Sequence, residues 1–177
     1  MIRHSYPSQS YSPASYDDDM CLKPPLLLWL TVVYLARAIM LPLVIGLGHI
    51  AGVNADAMTM LRGYWSVEEL APSLLAIPVL YAMCRRSPTA SAPVRWVWSH
   101  GRAFLALSAS LDIVLKIIPQ MSNREFSDQS LLALVAAAAD AYFLLYTLVA
   151  QRVRDTFLDF PPPLATATTE GTDRSRG

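Results

Sequence analysis

The chain has 177 residues, of which 54% are hydrophobic and only 16% charged, with a mean hydropathy of +0.34. A soluble domain carries about 25% charged residues, so an excess of apolar surface here needs a cover other than water. The formal net charge of zero leaves no basic footprint for nucleic acid, and the length is room for one domain.

Residues 1–22 read as a disordered arm. Ser5-Tyr6, Ser10-Tyr11 and Ser15-Tyr16 recur every five residues, interleaved with Pro7 and Pro13. The stretch is too short for a repeat fold and polar enough to stay unfolded. Four apolar stretches follow, at about 26–50, 67–84, 96–118 and 129–150. A helix needs about 17–25 residues to cross a bilayer. The expected fold is therefore all-α, an integral membrane bundle of four transmembrane helices over residues 23–155, with a disordered tail over 156–177. The second stretch is short and carries Pro72 and Pro78. It spans if Glu68 and Glu69 sit at the interface, and a re-entrant segment is the alternative. The first stretch is read as retained rather than as a cleaved leader, because its apolar core exceeds ~7–15 residues and acidic residues precede it.

Basic residues orient the bundle. Lys23, Arg85, Arg86, Arg95, Arg152 and Arg154 all fall on one side if the chain crosses four times. The opposite loops hold only Arg62 and Arg124, beside Asp56, Glu68, Glu69, Glu125 and Asp128. By the positive-inside rule both termini are cytoplasmic. Trp29, Tyr64, Trp65, Trp96 and Trp98 lie near the expected helix ends, where they read as interface anchors.

Four charges fall deep within the stretches, Arg37, Asp112, Lys116 and Asp140, with Arg102, Glu68 and Glu69 nearer their ends. Each costs about 2.5–3.5 kcal/mol at mid-helix unless paired or hydrated, so each is expected to face the bundle interior. Arg37 and Asp140 both lie about eleven residues, or ~16 Å, from their cytoplasmic ends. That level placement suggests a bidentate Arg37–Asp140 pair. Asp112 has Lys116 one turn on as an i,i+4 partner. Ala133, Ala137, Asp140 and Ala141 share a face that a neighbouring helix can approach closely. Ser108, Asp112 and Lys116 form a polar stripe, and Gly48 and Gly52 a small-xxx-small pair. Pro42 is expected to bend the first helix just beyond Arg37. The two pairs either fix helix register or line a conduit for a proton, an ion or a small anion.

No other chemistry rises from the sequence. Cys21 and Cys84 lack C-x-x-C spacing and read as reduced thiols. A lone His49 is an interfacial residue rather than a ligand. The two intramembrane aspartates lack the G-x-G-D setting of aspartyl intramembrane proteases, and no phosphate loop, zinc motif or Ser-His-Asp arrangement is visible. No cofactor is expected, and the chain reads as a non-enzyme.

The head of the first stretch, YDDDMCLKPPLLLWLTVVYLAR, carries Tyr16, Asp17, Leu22, Lys23, Pro24, Pro25 and Trp29. It resembles the YfeZ-like family of bacterial inner-membrane proteins, over about residues 16–155. Where that family's pattern has a glycine before the Leu-Lys-Pro-Pro run, this chain has Met20-Cys21. The resemblance implies a bacterial inner-membrane location and no established activity. Pro24 and Pro25 also suit a helix start, where missing N–H donors cost nothing. The acidic run either stays solvated or meets Arg85, Arg86 or Arg95. The role expected is an accessory or assembly component whose partners are the lipid bilayer, other membrane proteins or a second copy. The alternative is a small oligomeric transporter or channel-like protein that uses the buried charges as a polar path.

Overall fold

The computed structural model describes residues 11–17, 21–50, 52, 67–122 and 128–161. Among them are seven α-helices: α1 (Leu26–Leu35), α2 (Arg37–Ile50), α3 (Leu70–Cys84), α4 (Ala92–Ser99), α5 (Gly101–Ser122), α6 (Asp128–Val149) and α7 (Gln151–Leu158). Short 3-10 turns cover Pro13–Ser15 and Val67–Glu69. The most extensive pairing is α5 with α6; α3 crosses α5, and α1 and α2 both lean on α3.

Two helical segments are long and apolar enough to cross a membrane, Val67–Cys84 and Ser130–Val149. The count rises to three if the pair α1 and α2 is one broken span. That pair is bent by 81°, so the continuous helix expected over 26–50 does not form. At ten and fourteen residues its halves reach only ~15 and ~21 Å, short of a ~30 Å hydrocarbon core. The third stretch is also divided, at His100, where α4 ends and α5 begins. At 22 residues α5 is long enough, but it carries Arg102, Asp112 and Lys116 and is not among these segments.

The bend between α1 and α2 falls at Ala36, before Arg37, and not beyond it at Pro42, which stays inside α2. A helix breaks where a side chain enters its hydrogen-bond ladder, and Ser73 of α3 does so. Its hydroxyl donates to Leu35 O at 2.8 Å and accepts from Ala38 N at 3.3 Å.

The core runs through α1, α3, α4, α5 and α7, with Leu28, Val32, Val79, Trp98, Leu105 and Phe157 buried at its centre. Trp98 is therefore core rather than an interface anchor: its indole N–H donates to Thr156 O at 3.2 Å and its ring meets Phe157 at 4.8 Å. Trp96 is exposed, and Trp29 packs partly against the core. Tyr64 and Trp65 lie outside the described residues, as does the side chain of His49. Gly101 is required for close approach, because a Cβ there would overlap the ring of Phe157. Gly52 ends the first pair with φ 71°, in the left-handed region that suits glycine. No described atom lies within 4 Å of where a Cβ on Gly52 would sit, whereas Gly48, the other member of the expected small-residue pair, is buried.

The two chain ends meet at one pole. Tyr16 bridges to Leu22, Lys23 N donates to Ser15 O at 2.7 Å, and Tyr11 donates to Asp155 of α7 at 2.7 Å. Arg86 donates to Leu22 O at 2.7 Å and to Asp159 O at 2.9 Å, and Arg95 donates to Pro161 O at 2.7 Å. Residues 11–17 and 156–161, expected to be disordered, are thus docked. Tyr11 and Ser15 hold the first segment, and two arginines aimed at the carbonyls of Asp159 and Pro161 hold the second, which composition alone does not reveal.

A buried charge network as candidate functional site

Arg37 opens α2 at the bend, so its side chain swings away from the α1 axis toward α3 and α5. One terminal nitrogen, Nη2, donates to Asp112 Oδ2 at 2.7 Å and to Glu69 Oε1 at 3.1 Å. The other, Nη1, donates to Tyr34 O at 3.2 Å and lies 3.9 Å from Asp140 Oδ1. The guanidinium also stacks over the Tyr34 ring, 4.5 Å from its centroid. Lys116 Nζ completes the cluster, 2.8 Å from Asp112 Oδ2 and 2.7 Å from Asp140 Oδ2.

The four residues singled out from the sequence thus meet in one network. The expected Arg37–Asp140 ion pair is present at 3.9 Å but is not bidentate; Arg37 hydrogen-bonds Asp112 and Glu69, and Lys116 bridges both aspartates. Depth counting along a straight helix put Arg37 level with Asp140, but the 81° bend redirects it. Asp112 and Lys116 do form the i,i+4 ion pair along α5.

Glu69 and Ser73 were not singled out as site residues. Glu69 was placed at the interface, yet the Val67–Glu69 turn tips it into the network. The signal was present: Glu69, Ser73 and Ala76 follow helical spacing, and Ser73 and Ala76 are fully buried. Ser108, one turn before Asp112, donates to Pro72 O at 2.8 Å and ties α5 to the start of α3. On α6, Ala137 and Asp140 are buried toward α5 while Ala133 and Ala141 are half-buried, so the small-residue face points inward.

Burial grades the network. Side-chain exposure is 0% for Asp140, 2% for Asp112, 11% for Lys116, 19% for Arg37 and 20% for Glu69. Two cations face three carboxylates, so one negative charge is in excess. Asp112 Oδ1, Asp140 Oδ1 and Glu69 Oε2 are buried and have no hydrogen-bond partner among the described residues. No group of three His, Cys, Asp or Glu is placed to hold a metal ion among those residues.

The residues at the head of the first stretch sit at the other pole. Asp17 N donates to Cys21 O at 2.9 Å, and Asp17 Oδ1 accepts from Cys21 N at 2.8 Å. Asp17 Oδ2 lies 3.8 Å from Arg86, and Asp18 and Asp19 lie outside the described residues. Pro25 caps α1 in extended backbone, and its carbonyl accepts from Leu28 and Trp29 N–H groups.

Fold and site together define an all-α protein with apolar helices of membrane length and an ion network buried between them. The family model described as a protein of unknown function, DUF2919, matches residues 11–159, and the chain belongs to that family. Neither the curated proteins nor the solved structures yield a match to it.

Proposed function

We propose that this chain is a multi-pass protein of the bacterial inner membrane, akin to the YfeZ-like proteins, and that it serves as a non-enzymatic accessory or assembly component. The observation that carries this reading is its inverted polarity. Leu131, Leu132, Val135, Leu145 and Val149 are exposed on α6, while Asp140 on the same helix is wholly buried. Such a distribution suits lipid outside and paired charges within. In this reading α5 is a further crossing whose charges all turn inward, giving four crossings with the arm, α7 and the arginine-bearing loop on the cytoplasmic side. The network then acts as the fastening that joins α2, α3, α5 and α6.

A second reading is favoured by the charge excess: a small oligomeric transporter or channel-like protein in which the network is a way-station. One comparison separates them. Arg37→Leu, which leaves one cation facing three carboxylates, is expected to lower membrane abundance of the full-length protein severely, as a fastening requires. If abundance in carbonate-washed membranes holds while the phenotype of a deletion strain appears, the fastening reading fails and the carrier reading stands. A reporter fused after Arg154 should be active only in its cytoplasmic form; activity of a periplasmic reporter there would refute the orientation.

A further inference from the structure

We infer that the network is a proton-binding site, holding one exchangeable proton among Glu69, Asp112 and Asp140, with Asp140 as its main carrier. The inference deepens the fastening reading and rests on the network lying in an apolar surround, not on the protein being a carrier.

The groups that face one another are Tyr34 from α1, Arg37 from α2, Glu69 from the turn before α3, Asp112 and Lys116 from α5, and Asp140 from α6. Ser73 from α3 is occupied by the α1–α2 break. Arg37 and Lys116 balance two of the three carboxylates. A third ionised carboxylate in a desolvated site has no counter-charge among these groups, and such a group takes up a proton rather than stay ionised. Two oxygens wait for it. Asp112 Oδ1 and Asp140 Oδ1 belong to side chains that are almost fully buried, and neither accepts a hydrogen bond within 3.5 Å among the described residues.

Geometry distributes the proton. Both cations bond Asp112 through one oxygen, at 2.7 and 2.8 Å, which favours its ionised form. Glu69 is bonded by Arg37 at 3.1 Å and is one-fifth exposed, so water shares its charge. Asp140 is wholly buried, shares Lys116 with Asp112, and has Arg37 only at 3.9 Å. It is the carboxyl with least support for a charge. Glu69 and Arg37, the most exposed members, are where a proton enters or leaves.

The test uses the full-length protein in detergent or liposomes. Infrared difference spectra of wild type labelled with carbon-13 aspartate should show a protonated aspartyl carboxyl at neutral pH that disappears as the pH rises. The band should be lost in Glu69→Gln and in Asp140→Asn, which each leave two cations facing two carboxylates. Wild-type folding should strengthen as pH falls, up to tenfold in the folding equilibrium constant per pH unit for one proton, because the unfolded chain releases it. Glu69→Gln should flatten that slope. No protonated carboxyl in wild type across its folded pH range overturns the inference. So does an unchanged slope in Glu69→Gln, or a stability that follows sodium or potassium concentration at fixed pH. The label requires no substitution, so it holds even if a variant does not fold. Membrane abundance of Glu69→Gln, measured in parallel, reports on the fastening separately.

Discussion

Lys116→Met is the sharpest probe of the network. Lys116 is the only residue whose side chain is bonded to both aspartates among the described residues, at 2.8 Å to Asp112 and 2.7 Å to Asp140. Methionine keeps the stem and its packing and deletes the charge. Asp112 then retains Arg37 at 2.7 Å, while Asp140 keeps only the distant contact at 3.9 Å. Breaking a buried pair from one side costs about 3–5 kcal/mol, because it strands the remaining charge. Adding Asp140→Asn removes that charge and leaves a neutral polar group that is poorly satisfied, for which about 1–3 kcal/mol is the ordinary penalty. The double variant should therefore be more stable than the single one. The assay is reversible denaturant unfolding in mixed micelles at about pH 8, where protonation gives least relief. A single variant within about 0.5 kcal/mol of wild type, the range of bland surface changes, would refute a fastening role for these bonds.

Ser73→Ala removes the hydroxyl that serves Leu35 O and Ala38 N, and two buried main-chain groups lose a partner; a loss of about 1–3 kcal/mol is expected. Unfolding of Ser73→Ala in micelles, with hydrogen exchange at Ala38, measures it. Gly101→Ala drives a methyl into the Phe157 ring, which is also packed against Trp98, so overpacking should cost about 1–3 kcal/mol and be relieved by Phe157→Leu. Thermal melts of the single and double variants decide that. Tyr11 has its hydroxyl pushed up to about 12, first by burial and then by its bond to Asp155. Its contribution to docking the arm should be intact below about pH 10, the unfolded value, and should fall away as the pH rises through about 12. A phenolate absorbance titration of wild type against Tyr11→Phe isolates it from the other tyrosines.

What the sequence made legible was helix and charge; what it hid was geometry that arises only on packing. The ends of α6 and the inward face of Ala137 and Asp140 follow from hydropathy and small-residue spacing. The inward position of Arg37, Asp112 and Lys116 follows from the cost of a charge in apolar surroundings. The break at Ala36 has no local signal, since neither glycine nor proline occupies it. It depends on Ser73, thirty-odd residues away in the chain, to satisfy the groups it frees. Without the break, Glu69 could not be recognised as a member of the network, and Arg37 was given the wrong hydrogen-bond partner. At the opposite pole, Arg86 and Arg95 read from sequence as topology markers and as candidate partners of the acidic run; a sequence does not say which carbonyls an arginine will find.

Break and network are one device, and Arg37 is the part common to both. Its fork serves Tyr34 O, just before the bend, and on its other arm Glu69 and Asp112. Its flat face lies on the Tyr34 ring. A lysine brings the same charge as a single point with rotatable donors, and it neither forks nor stacks in this way. Arg37→Lys should therefore behave as a substitution of function rather than of degree. It can keep Asp112, the nearest carboxylate, but not Tyr34 O and Glu69 at once. Each charged hydrogen bond not remade is worth about 1.5–3 kcal/mol. The loss should appear first as faster amide exchange at the α1–α2 junction, before global unfolding shifts. If Arg37→Lys exchanges at Ala38 and Ile39 as slowly as wild type, charge alone holds the site, and the fork has no part in joining the bend to the network.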